Sequence, residues 1–580
     1  MNTTTSFLRS DHICTALKWL TVVNLLAWLV ACGGGGNEGS NSSGSAGTPA
    51  LSLTSPSSNI DSPSTPEPPG TTPTIAPATT QTMNPVTATT ATLPALGYTA
   101  ASVAKQCAAP RVGEGSTDVK GSIDTEKLWV RAFLDETYLF YRDVPQVDPA
   151  PFTAAAYEDS TFDALRAYFR SLLTPKLTAS GKRVDQFSFV RPTESRSNQQ
   201  AGVSSGYGIS FAFASNPTST STSTTTSTPT RVLRVLRVEP GSPADLAGVL
   251  RGDTVKSIDG VDINDTTEAG AEVLLEGLNP SVAIKTTTFG LQAAGSDEIE
   301  KVVVVSSTNI TTVPVEIAKT LHVGTSKVGY LALNTFNDVT AQTQLINAIT
   351  KLKADKVNDL VLDLRYNGGG IVLLANQLSY MIGRADLKDK VFEKTVCNGK
   401  NPSPLCGQSN DFIDGTIGDR VNNVAPGIAI PQLGLKRVFV LTTGSTCSAS
   451  ETVINGLSPY LEVIRIGSTT CGKPFAFIPE ENCGTTYFAL QSRIENSKGF
   501  SAYEDGFAPT CAAADDLSRQ RGDPSELMLA GALKYIKTGQ CANANQAARQ
   551  FNATELQQYK MMRSPMEEMR IMKMPNSSLK

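Results

Sequence analysis

The apolar segment DLVLDL at 359–364 is the feature that most restricts the fold of this 580-residue chain. An amphipathic helical pattern precedes it over Val339–Asp355, and a strand-like segment, KVGYLALNTF, precedes that helix at 327–336. A strand, a helix and a second, buried strand in this order predict a right-handed parallel crossover in a sheet covered on both faces. We therefore expect a C-terminal α/β domain over residues 313–541, with a mixed, largely parallel sheet.

Length and charge limit the fold classes and the binding functions that the chain can have. A chain of this length exceeds a single hydrophobic core, so several domains are expected, and the fold class is multidomain α+β. The formal net charge of −4 gives no reason to expect nucleic-acid binding. With two histidines and no CxxC pair, the sequence indicates neither a metal site nor a cofactor.

The N-terminal residues have the features of an export signal. Arg9 and Lys18 precede the apolar run Trp19–Ala31, which is short for a membrane span. The run ends in LVAC, which resembles a bacterial lipobox and implies cleavage after residue 31 and lipidation of Cys32. An ordinary signal peptide or a single anchor helix is the alternative. Because Gly33 is not aspartate, the expected location is the outer membrane, facing the periplasm or the cell surface.

Two segments have compositions that do not favour a packed core. Residues 32–100 are rich in Ser, Thr, Pro and Gly and are predicted to be a disordered linker that gives reach from the membrane. Residues 542–580 are polar, then Met-rich and mildly basic, and are predicted to be a solvated or peripherally docked tail.

Ten cysteines are present, and eight remain once Cys14 and Cys32 are set aside with the leader and the lipid. An even number in an exported chain indicates disulfides, although the sequence alone leaves their connectivity open. The short-range pairings that we expect are Cys397 with Cys406 and Cys471 with Cys483.

Residues 101–195 are predicted to form a small helical domain. One amphipathic helix is expected within 124–145, capped by Asp124 or Thr125 and ended by Pro145, and a second within 159–175. Both carry aromatic stripes, which are typical of core positions, so no chemistry is assigned here.

Residues 200–312 are predicted to form a β-rich domain. Two strand patterns flank a low-complexity insertion, NPTSTSTSTTTSTPT, which is expected to be an exposed hairpin loop. Further along, Pro243 can open a short helix that Gly248 closes, and Asp259-Gly260 suits a tight turn. In this order, GSPA, AG, GD and IDG resemble the motifs of a PDZ domain.

The PDZ resemblance implies a site for a polypeptide C-terminus. The carboxylate-binding loop would be formed by Tyr207, Gly208, Ile209 and Ser210, with the bound peptide added as a strand. The alternative is a glycine-bearing edge strand without a ligand.

The turn Asn367–Gly370 follows the buried strand and opens the next helix. A glycine-rich turn at this point offers backbone N–H donors, but no Lys-Ser/Thr follows, so it is not a P-loop. Asp363 and Arg365 flank the end of the strand, where a structural ion pair is expected.

Ser448 lies in a second small-residue turn, CSASE, after the strand-like segment RVFVLTT. A serine nucleophile needs a base. Lys473, 25 residues downstream, is favoured because His12 belongs to the leader and His322 is the only other histidine. A Ser-His pair using His322 stays open.

Taken together, the motifs VLDLRYNGGG, TCSASE and TCGK, in that order after a PDZ-like segment, resemble those of the S41 serine peptidases, the C-terminal processing proteases. The resemblance implies that Ser448 is the nucleophile and Lys473 the general base. It also implies that the backbone N–H groups of Ala449 and Gly369 form the oxyanion hole.

Two features depart from the family pattern. Phe477 stands where many members have a glutamine that orients the lysine, so a third catalytic residue would have to come from elsewhere. Cys447 and Cys471 lie beside the catalytic pair, which suggests that a disulfide braces the site.

The resulting hypothesis is a serine endopeptidase that cleaves exported polypeptides held by their C-termini. The alternative is a catalytically impaired, peptide-binding lipoprotein on the same scaffold. An SxxK enzyme of the penicillin-binding type is disfavoured, because here the serine and the lysine are separated by a strand.

Overall fold

The computed structural model describes residues 96–113, 116–194, 203–215, 231–278, 280, 284–296, 301–419, 422–542 and 560–561. The predicted leader with Cys32, almost all of the linker, the low-complexity insertion and most of the C-terminal tail lie outside these residues. Among the described helices, none combines the length and the apolar character needed to cross a bilayer.

The N-terminal region contains two substantial helices. In chain order its elements are α1 (Ala100–Val103), β1 (Gln106–Cys107), β2 (Val119–Lys120), α2 (Ile123–Thr137), α3 (Thr161–Ser171) and β3 (Phe189–Pro192).

Helix α2 is capped two or three residues earlier than the sequence suggested. Ser122, not Asp124 or Thr125, is the N-cap: its Oγ accepts from the Thr125 N–H at 3.3 Å, and Thr125 Oγ1 accepts from the Ser122 N–H at 2.9 Å. The helix also ends before the predicted Pro145. Beyond Tyr138 the chain leaves the helix, and the Leu139 N–H donates to Leu490 O, in a segment between two strands of the C-terminal part of the chain, at 2.8 Å.

The N-terminal helices share their core with the C-terminal part of the chain. Tyr487 is fully buried among the aromatic rings of the two helices, with centroid distances of 5.1 Å to Trp129 and 5.7 Å to Phe169. The disulfide Cys107–Cys483 joins the same two regions. The aromatic stripes are thus core positions, but the core spans both regions.

The central domain is a β-sheet with two helices. Its elements are β4 (Val203–Gly206), β5 (Ile209–Ser215), β6 (Arg231–Val238), α4 (Pro243–Leu246), β7 (Thr254–Ile258), β8 (Val261–Asp262), α5 (Glu268–Leu278), β9 (Thr286–Gln292), β10 (Lys301–Ser306) and β11 (Thr308–Thr311).

The turns of this domain follow the local sequence. Pro243 is the first residue of α4, and Gly248 follows its end with φ 73°. Asp259 and Gly260 both have positive φ and connect β7 to β8 in a tight hairpin. Strands β5 and β6 pair antiparallel on either side of the predicted insertion.

The C-terminal domain is the largest part of the described chain. Its elements are β12 (Val315–Val323), β13 (Ser326–Leu333), α6 (Ala341–Ala354), β14 (Asp359–Asp363), α7 (Val372–Ile382), β15 (Val391–Cys397), β16 (Ser409–Asp411), β17 (Arg437–Thr442), α8 (Ala449–Leu457), β18 (Glu462–Gly467), β19 (Phe475–Ala476), β20 (Glu480–Asn482), β21 (Thr485–Phe488), β22 (Ser492–Glu495), β23 (Cys511–Ala512) and α9 (Leu527–Thr538). A final strand, β24 (Lys560–Met561), follows.

A six-stranded sheet in the order β12-β13-β14-β17-β18-β23 forms the centre of this domain. Strand β12 is antiparallel to β13, and each of the other neighbouring pairs is parallel. Helices α6, α7 and α8 contribute to the core on one face, and α9 packs against the other. The ends of β14 and β17 lie side by side, so the turns that follow them meet at one edge of the sheet.

Candidate active site

Ser448 lies at the turn that joins β17 to α8. Its backbone has φ 57° and ψ −117°, a conformation that residues other than glycine rarely adopt. Such a conformation costs about 1–3 kcal/mol and is found mainly at functional sites. The turn is held from both sides: the Cys447 N–H donates to Asn367 O at 3.1 Å, and Ser448 O accepts from the Thr452 N–H at 2.8 Å. The half-buried Ser448 side chain is thereby fixed at the edge of the sheet.

The glycine turn after β14 packs directly against Ser448. Gly369 has φ 104°, and a Cβ atom on it would lie 2.7 Å from Ser448 Cβ and 2.9 Å from the Ala449 nitrogen. Neither the conformation nor the space accepts a larger residue. The structure therefore brings together three of the four residues predicted to act in catalysis: Gly369, Ser448 and Ala449.

The two predicted oxyanion donors differ in their present hydrogen bonding. Ala449 is the first residue of α8 and fully buried, and in the described part of the chain its amide has no acceptor, as is usual for the first turn of a helix. The Gly369 N–H instead donates to Asn367 Oδ1 at 3.0 Å. To bind an oxyanion, the Gly369 N–H would have to share or give up that bond.

Glu451 is a residue of the site that the sequence reasoning missed. Its fully buried carboxylate accepts the Ser448 N–H at 3.0 Å and the Lys473 N–H at 2.8 Å, both on Oε2. Its other oxygen accepts from Thr470 Oγ1 at 2.6 Å and from the Gly472 N–H at 2.8 Å. Burial raises the pKa of Glu451, although these four donors oppose the shift. The only sequence signal was an acidic residue three positions after the serine.

A disulfide joins the same two segments. Cys447, which precedes Ser448, is bonded to Cys471, and the Cys471 N–H donates to Thr446 O at 3.0 Å. The suggestion of a disulfide beside the site is confirmed, and so is the Cys397–Cys406 pairing. The expected Cys471–Cys483 pairing is wrong. Cys483 lies at the turn between β20 and β21, next to the N-terminal region, and is bonded to Cys107.

The remaining disulfide links Cys511 to Cys541. The sulfur atoms of Cys447 and Cys471 and the carboxylate of Glu451 lie within 4.8 Å of one another, which is close enough for shared metal ligation. Since a metal is bound by thiolates and these sulfurs are joined to each other, the cluster does not have the donors of a metal site.

The side chain of Lys473 lies against aromatic rings. Its Nζ is 3.9 Å from the ring centroid of Phe477 and 5.5 Å from that of Phe187. Phe477 is in turn held edge-on to Phe488 and Phe189, at 5.3 Å and 5.8 Å. The N-terminal region, to which we assigned no chemistry, thus supplies Phe187 to the surroundings of the lysine.

His322 lies at the other end of the sheet. It pairs with Lys327, near the start of β13. Strands β13, β14 and β17 are parallel, and Ser448 follows the end of β17, at the opposite edge of the sheet. It is exposed on an edge strand. This position does not support the Ser-His alternative.

The loop predicted to bind a C-terminal carboxylate borders a cavity of about 900 Å³. Gly208 has φ 86°, and a Cβ atom on it would lie 2.2 Å from Ser242 Oγ, so glycine is required. Tyr207 is buried, and its hydroxyl is 2.7 Å from Thr287 Oγ1. Ile209 and Ser210 begin β5 and, together with Tyr207 and Gly208, line the cavity.

Two parts of the chain match the models of known protein families. Residues 327–482 match the model of peptidase family S41. Residues 234–285 match the model of the PDZ domain. The S41 match covers the Gly369 turn, Ser448, Glu451 and Lys473.

Curated relatives of the chain include carboxyl-terminal-processing proteases. One from Picosynechococcus sp. is 33% identical over 242 residues, which are 42% of this chain and 51% of the relative. Carboxyl-terminal-processing peptidase 3, chloroplastic, of Arabidopsis thaliana is 26% identical over 283 residues, 48% of this chain and 50% of the relative. The chain spans about half the length of the curated relatives it matches.

A solved structure has the same fold. A Bacteroides fragilis protein assigned to the S41 proteases aligns with a TM-score of 0.54 and 23% identity, covering 74% of this chain and 100% of that chain.

Behind the Asn367–Gly370 turn lies a buried ionic network. Arg365 is fully buried and contacts the carboxylates of Asp363 at 3.0 Å, Asp515 at 2.8 Å and Glu526 at 2.9 Å. The predicted Asp363–Arg365 ion pair is confirmed, but Arg365 has two further partners that the sequence did not indicate. Glu526 also caps α9, accepting from the Leu529 N–H at 3.1 Å.

The network extends into the PDZ domain through Arg251. Its guanidinium contacts Asp515 at 2.6 Å and also donates to the Tyr366 hydroxyl, next to Asn367 of the glycine turn. Burial by itself would raise the pKa of Asp515, but Arg251 and Arg365 lower it to about 2. The PDZ domain is therefore joined to the base of the glycine turn by charged groups that satisfy one another.

Proposed function

We propose that the chain is a serine endopeptidase in which Ser448 is the nucleophile and Lys473 the general base. The observation that carries this proposal is the sharing of Glu451 Oε2 by the backbone amides of both residues. The Cys447–Cys471 disulfide supports it, because it fixes the segment before the serine to the segment before the lysine.

In the proposed reaction, Ser448 Oγ attacks the carbonyl carbon of the scissile peptide bond while the neutral Lys473 amine accepts the serine proton. Lys473 then gives this proton to the departing amine. Water, activated by the same lysine, hydrolyses the acyl-enzyme and releases the new C-terminus. The amides of Ala449 and Gly369 would stabilise the oxyanion, each contributing about 2.7–4 kcal/mol to the transition state.

The surroundings of Lys473 bear on its protonation. The rings of Phe477 and Phe187 lie beside the amine, with centroids 3.9 Å and 5.5 Å from Nζ. Their faces attract the ammonium form, which holds the protonated lysine in place after it accepts the serine proton. Phe477 would thus position the base by contact with a ring, where many family members use a glutamine.

For the substrate, we propose a polypeptide whose C-terminus binds at Tyr207, Gly208, Ile209 and Ser210. The cavity beside this loop supports the proposal, because it is lined on its other side by α5, as expected of a groove that accepts an added strand. The enzyme would act on exported proteins and be held to a membrane by lipid on Cys32. The four disulfides of the described chain support an oxidising compartment.

The test is cleavage of a reduced, unfolded protein by the purified chain and by Ser448→Ala and Lys473→Ala variants. Both variants are expected to lose cleavage while keeping the thermal unfolding temperature of the parent. Ser445→Ala, in the same turn, is the matched control and is expected to retain activity. A fluorophosphonate probe should label the parent at Ser448 only. Cleavage retained by Ser448→Ala would refute the assignment, and absence of labelling in an otherwise folded parent would favour a peptide-binding protein.

A further inference from the structure

The tail of the chain contributes a strand to the PDZ sheet. Strand β24 pairs antiparallel with β5, with Lys560 opposite Phe213 and Met561 opposite Ala212. The other side of β5 is occupied by β6, and the sheet order ends β6-β5-β24. Without the tail, β5 would be an open edge, which is the kind of surface that accepts an added strand.

This edge leads to the proposed peptide site. Strand β5 begins at Ile209, directly after the loop of Tyr207 and Gly208, and its first three residues line the cavity. From Lys560 to Met561 the tail advances from Phe213 to Ala212, and so towards this loop. A peptide that binds by strand addition with its C-terminus in the loop runs in the same direction.

We infer that the segment beginning at Lys560 is an internal ligand of the PDZ groove and competes there with the C-termini of substrates. The inference rests on the proposed peptide-binding role of that groove. The tail pairs with β5 through the backbone of Lys560 and Met561, and a bound substrate would in addition place its terminal carboxylate in the loop. A substrate with a free C-terminus gains that additional contact and can displace it.

The charges of the cavity and of the tail sequence favour the tail as the occupant of the groove. The cavity is lined by three acidic residues, Glu239, Glu272 and Glu276, and by one basic residue, Arg237. Arg237 contacts Glu239 and also contacts Glu316 at 2.6 Å. Glu276 pairs with Lys285 at 2.7 Å, so Glu272 is the lining carboxylate that can attract a further cation. From residue 560 to residue 580 the sequence has five basic and two acidic side chains. A segment with this excess of positive charge is attracted to a groove whose lining has more acidic than basic residues.

The covalent attachment of the tail to the C-terminal domain also favours the tail as the occupant of the groove. The Cys511–Cys541 disulfide fixes the chain to the C-terminal domain 19 residues before Lys560. A ligand on a short tether has an effective concentration on the order of millimolar, so even weak strand addition keeps the groove occupied.

The test measures binding in a Ser448→Ala background, so that cleavage plays no part. A fluorescein-labelled, C-terminally amidated peptide of residues 556–573 is titrated into the full chain and into a chain shortened to end at Gln558. The shortened chain should bind the peptide, and the full chain should bind it about tenfold more weakly, as expected if the tail occupies the groove about nine-tenths of the time. Equal affinities, or no binding to the shortened chain, would overturn the inference.

Hydrogen exchange locates the contact. Amides 211–213 of β5 should exchange faster in the shortened chain and be protected again when the peptide is added. In the full chain, paired substitutions Lys560→Pro and Met561→Pro should have the effect of shortening, because proline cannot donate to a strand ladder. The matched control is Lys573→Pro with Met574→Pro, outside the strand, which should leave exchange at 211–213 unchanged. Unchanged exchange in both pairs contradicts the inference.

Different results would refute the proposed peptidase activity and the proposed internal ligand. If the binding and exchange results are negative but cleavage still depends on Ser448, the internal ligand is excluded and the peptidase stands. If the tail binds as described but no cleavage occurs in the active parent, the peptidase fails and the groove assignment stands.

Discussion

Ser448 and Lys473 donate their backbone amides to the same oxygen atom, Oε2 of Glu451. The two residues are 25 positions apart, with α8 and β18 between them. A single buried carboxylate therefore sets the spacing of the two backbones from which the proposed nucleophile and base extend.

Replacing Glu451 by glutamine should show whether Glu451 positions Ser448 and Lys473 for catalysis in addition to stabilising the fold. The amide group keeps the size of the side chain but presents N–H donors to neighbours that are themselves donors. We expect kcat to fall by about 10²-fold, the scale of a misplacement near 1 Å, with a smaller change in KM. Stability should fall by about 1–3 kcal/mol because a buried donor loses its acceptor. Peptidase kinetics and urea unfolding measure both effects. Glu462→Gln, exposed on β18, is the control, and an unchanged kcat in Glu451→Gln would contradict this role.

Removing the Cys447–Cys471 disulfide by a double change to serine should lower activity more than removing Cys397–Cys406. Only the Cys447–Cys471 disulfide joins the segments that carry Ser448 and Lys473. The loss of stability for the 24-residue separation is expected to be about 3 kcal/mol. Thermal unfolding and kcat should be measured for both variants. If the two double variants are equally active, the disulfide near the serine has no special role in catalysis.

Phe477→Leu should change the pH dependence of activity. The ring face binds the protonated lysine more tightly than the neutral amine, by about 1–2 kcal/mol at a partly desolvated site. Leucine keeps the apolar contact but lacks this attraction, so the rising limb of the pH–activity profile should move to lower pH by about one unit. Phe500→Leu, on an exposed ring, is the control. Superimposable profiles for Phe477→Leu and the parent would mean that the ring does not act on the base.

Glu393 makes the folded chain less stable at higher pH. Burial raises its pKa to about 7, although hydrogen bonds from Asn410 Nδ2 at 2.5 Å and from Thr395 Oγ1 at 3.3 Å oppose the shift. Because the folded-state pKa is raised, the folded state is favoured below the unfolded value of 4.5, and this advantage is lost as the pH rises to about 7. The loss amounts to up to about 3 kcal/mol.

Glu393→Gln should therefore remove part of the difference in unfolding free energy between pH 5 and pH 8. Glu126, whose pKa burial also raises to about 7, would account for a further part. Urea denaturation at the two pH values provides the measurement, with Glu462→Gln as an exposed control. If Glu393→Gln keeps the full pH dependence of the parent, Glu393 is not its source.

The sequence predicted those parts of the fold and site that depend on neighbouring residues. Helix and strand patterns located the elements around the 359–363 strand. The two small-residue turns drew attention to this part of the chain, and the resemblance to S41 peptidases singled out Gly369 and Ser448 within them. The two turns meet at one edge of the sheet because β14 pairs with β17, a pairing that the structure shows and the crossover did not predict.

Contacts between distant parts of the chain were not accessible in this way. Glu451 resembled an ordinary residue of a helical first turn, and nothing local linked Arg365 to Glu526 or Phe187 to Lys473. Cysteine spacing favoured Cys483 as the partner of Cys471, yet the tertiary fold brings Cys483 to Cys107, at the other end of the described chain. Local patterns do not specify such pairings, since several connectivities satisfy the same spacing.

The Cys107–Cys483 bond closes a covalent ring of the chain, with a sequence separation of 376. The central domain and the turn of Ser448 both lie within this ring. A backbone cut anywhere inside it, including one made by the proposed peptidase activity, would open the ring without separating the two pieces. Such a molecule would run as one chain on a non-reducing gel and as fragments only after reduction.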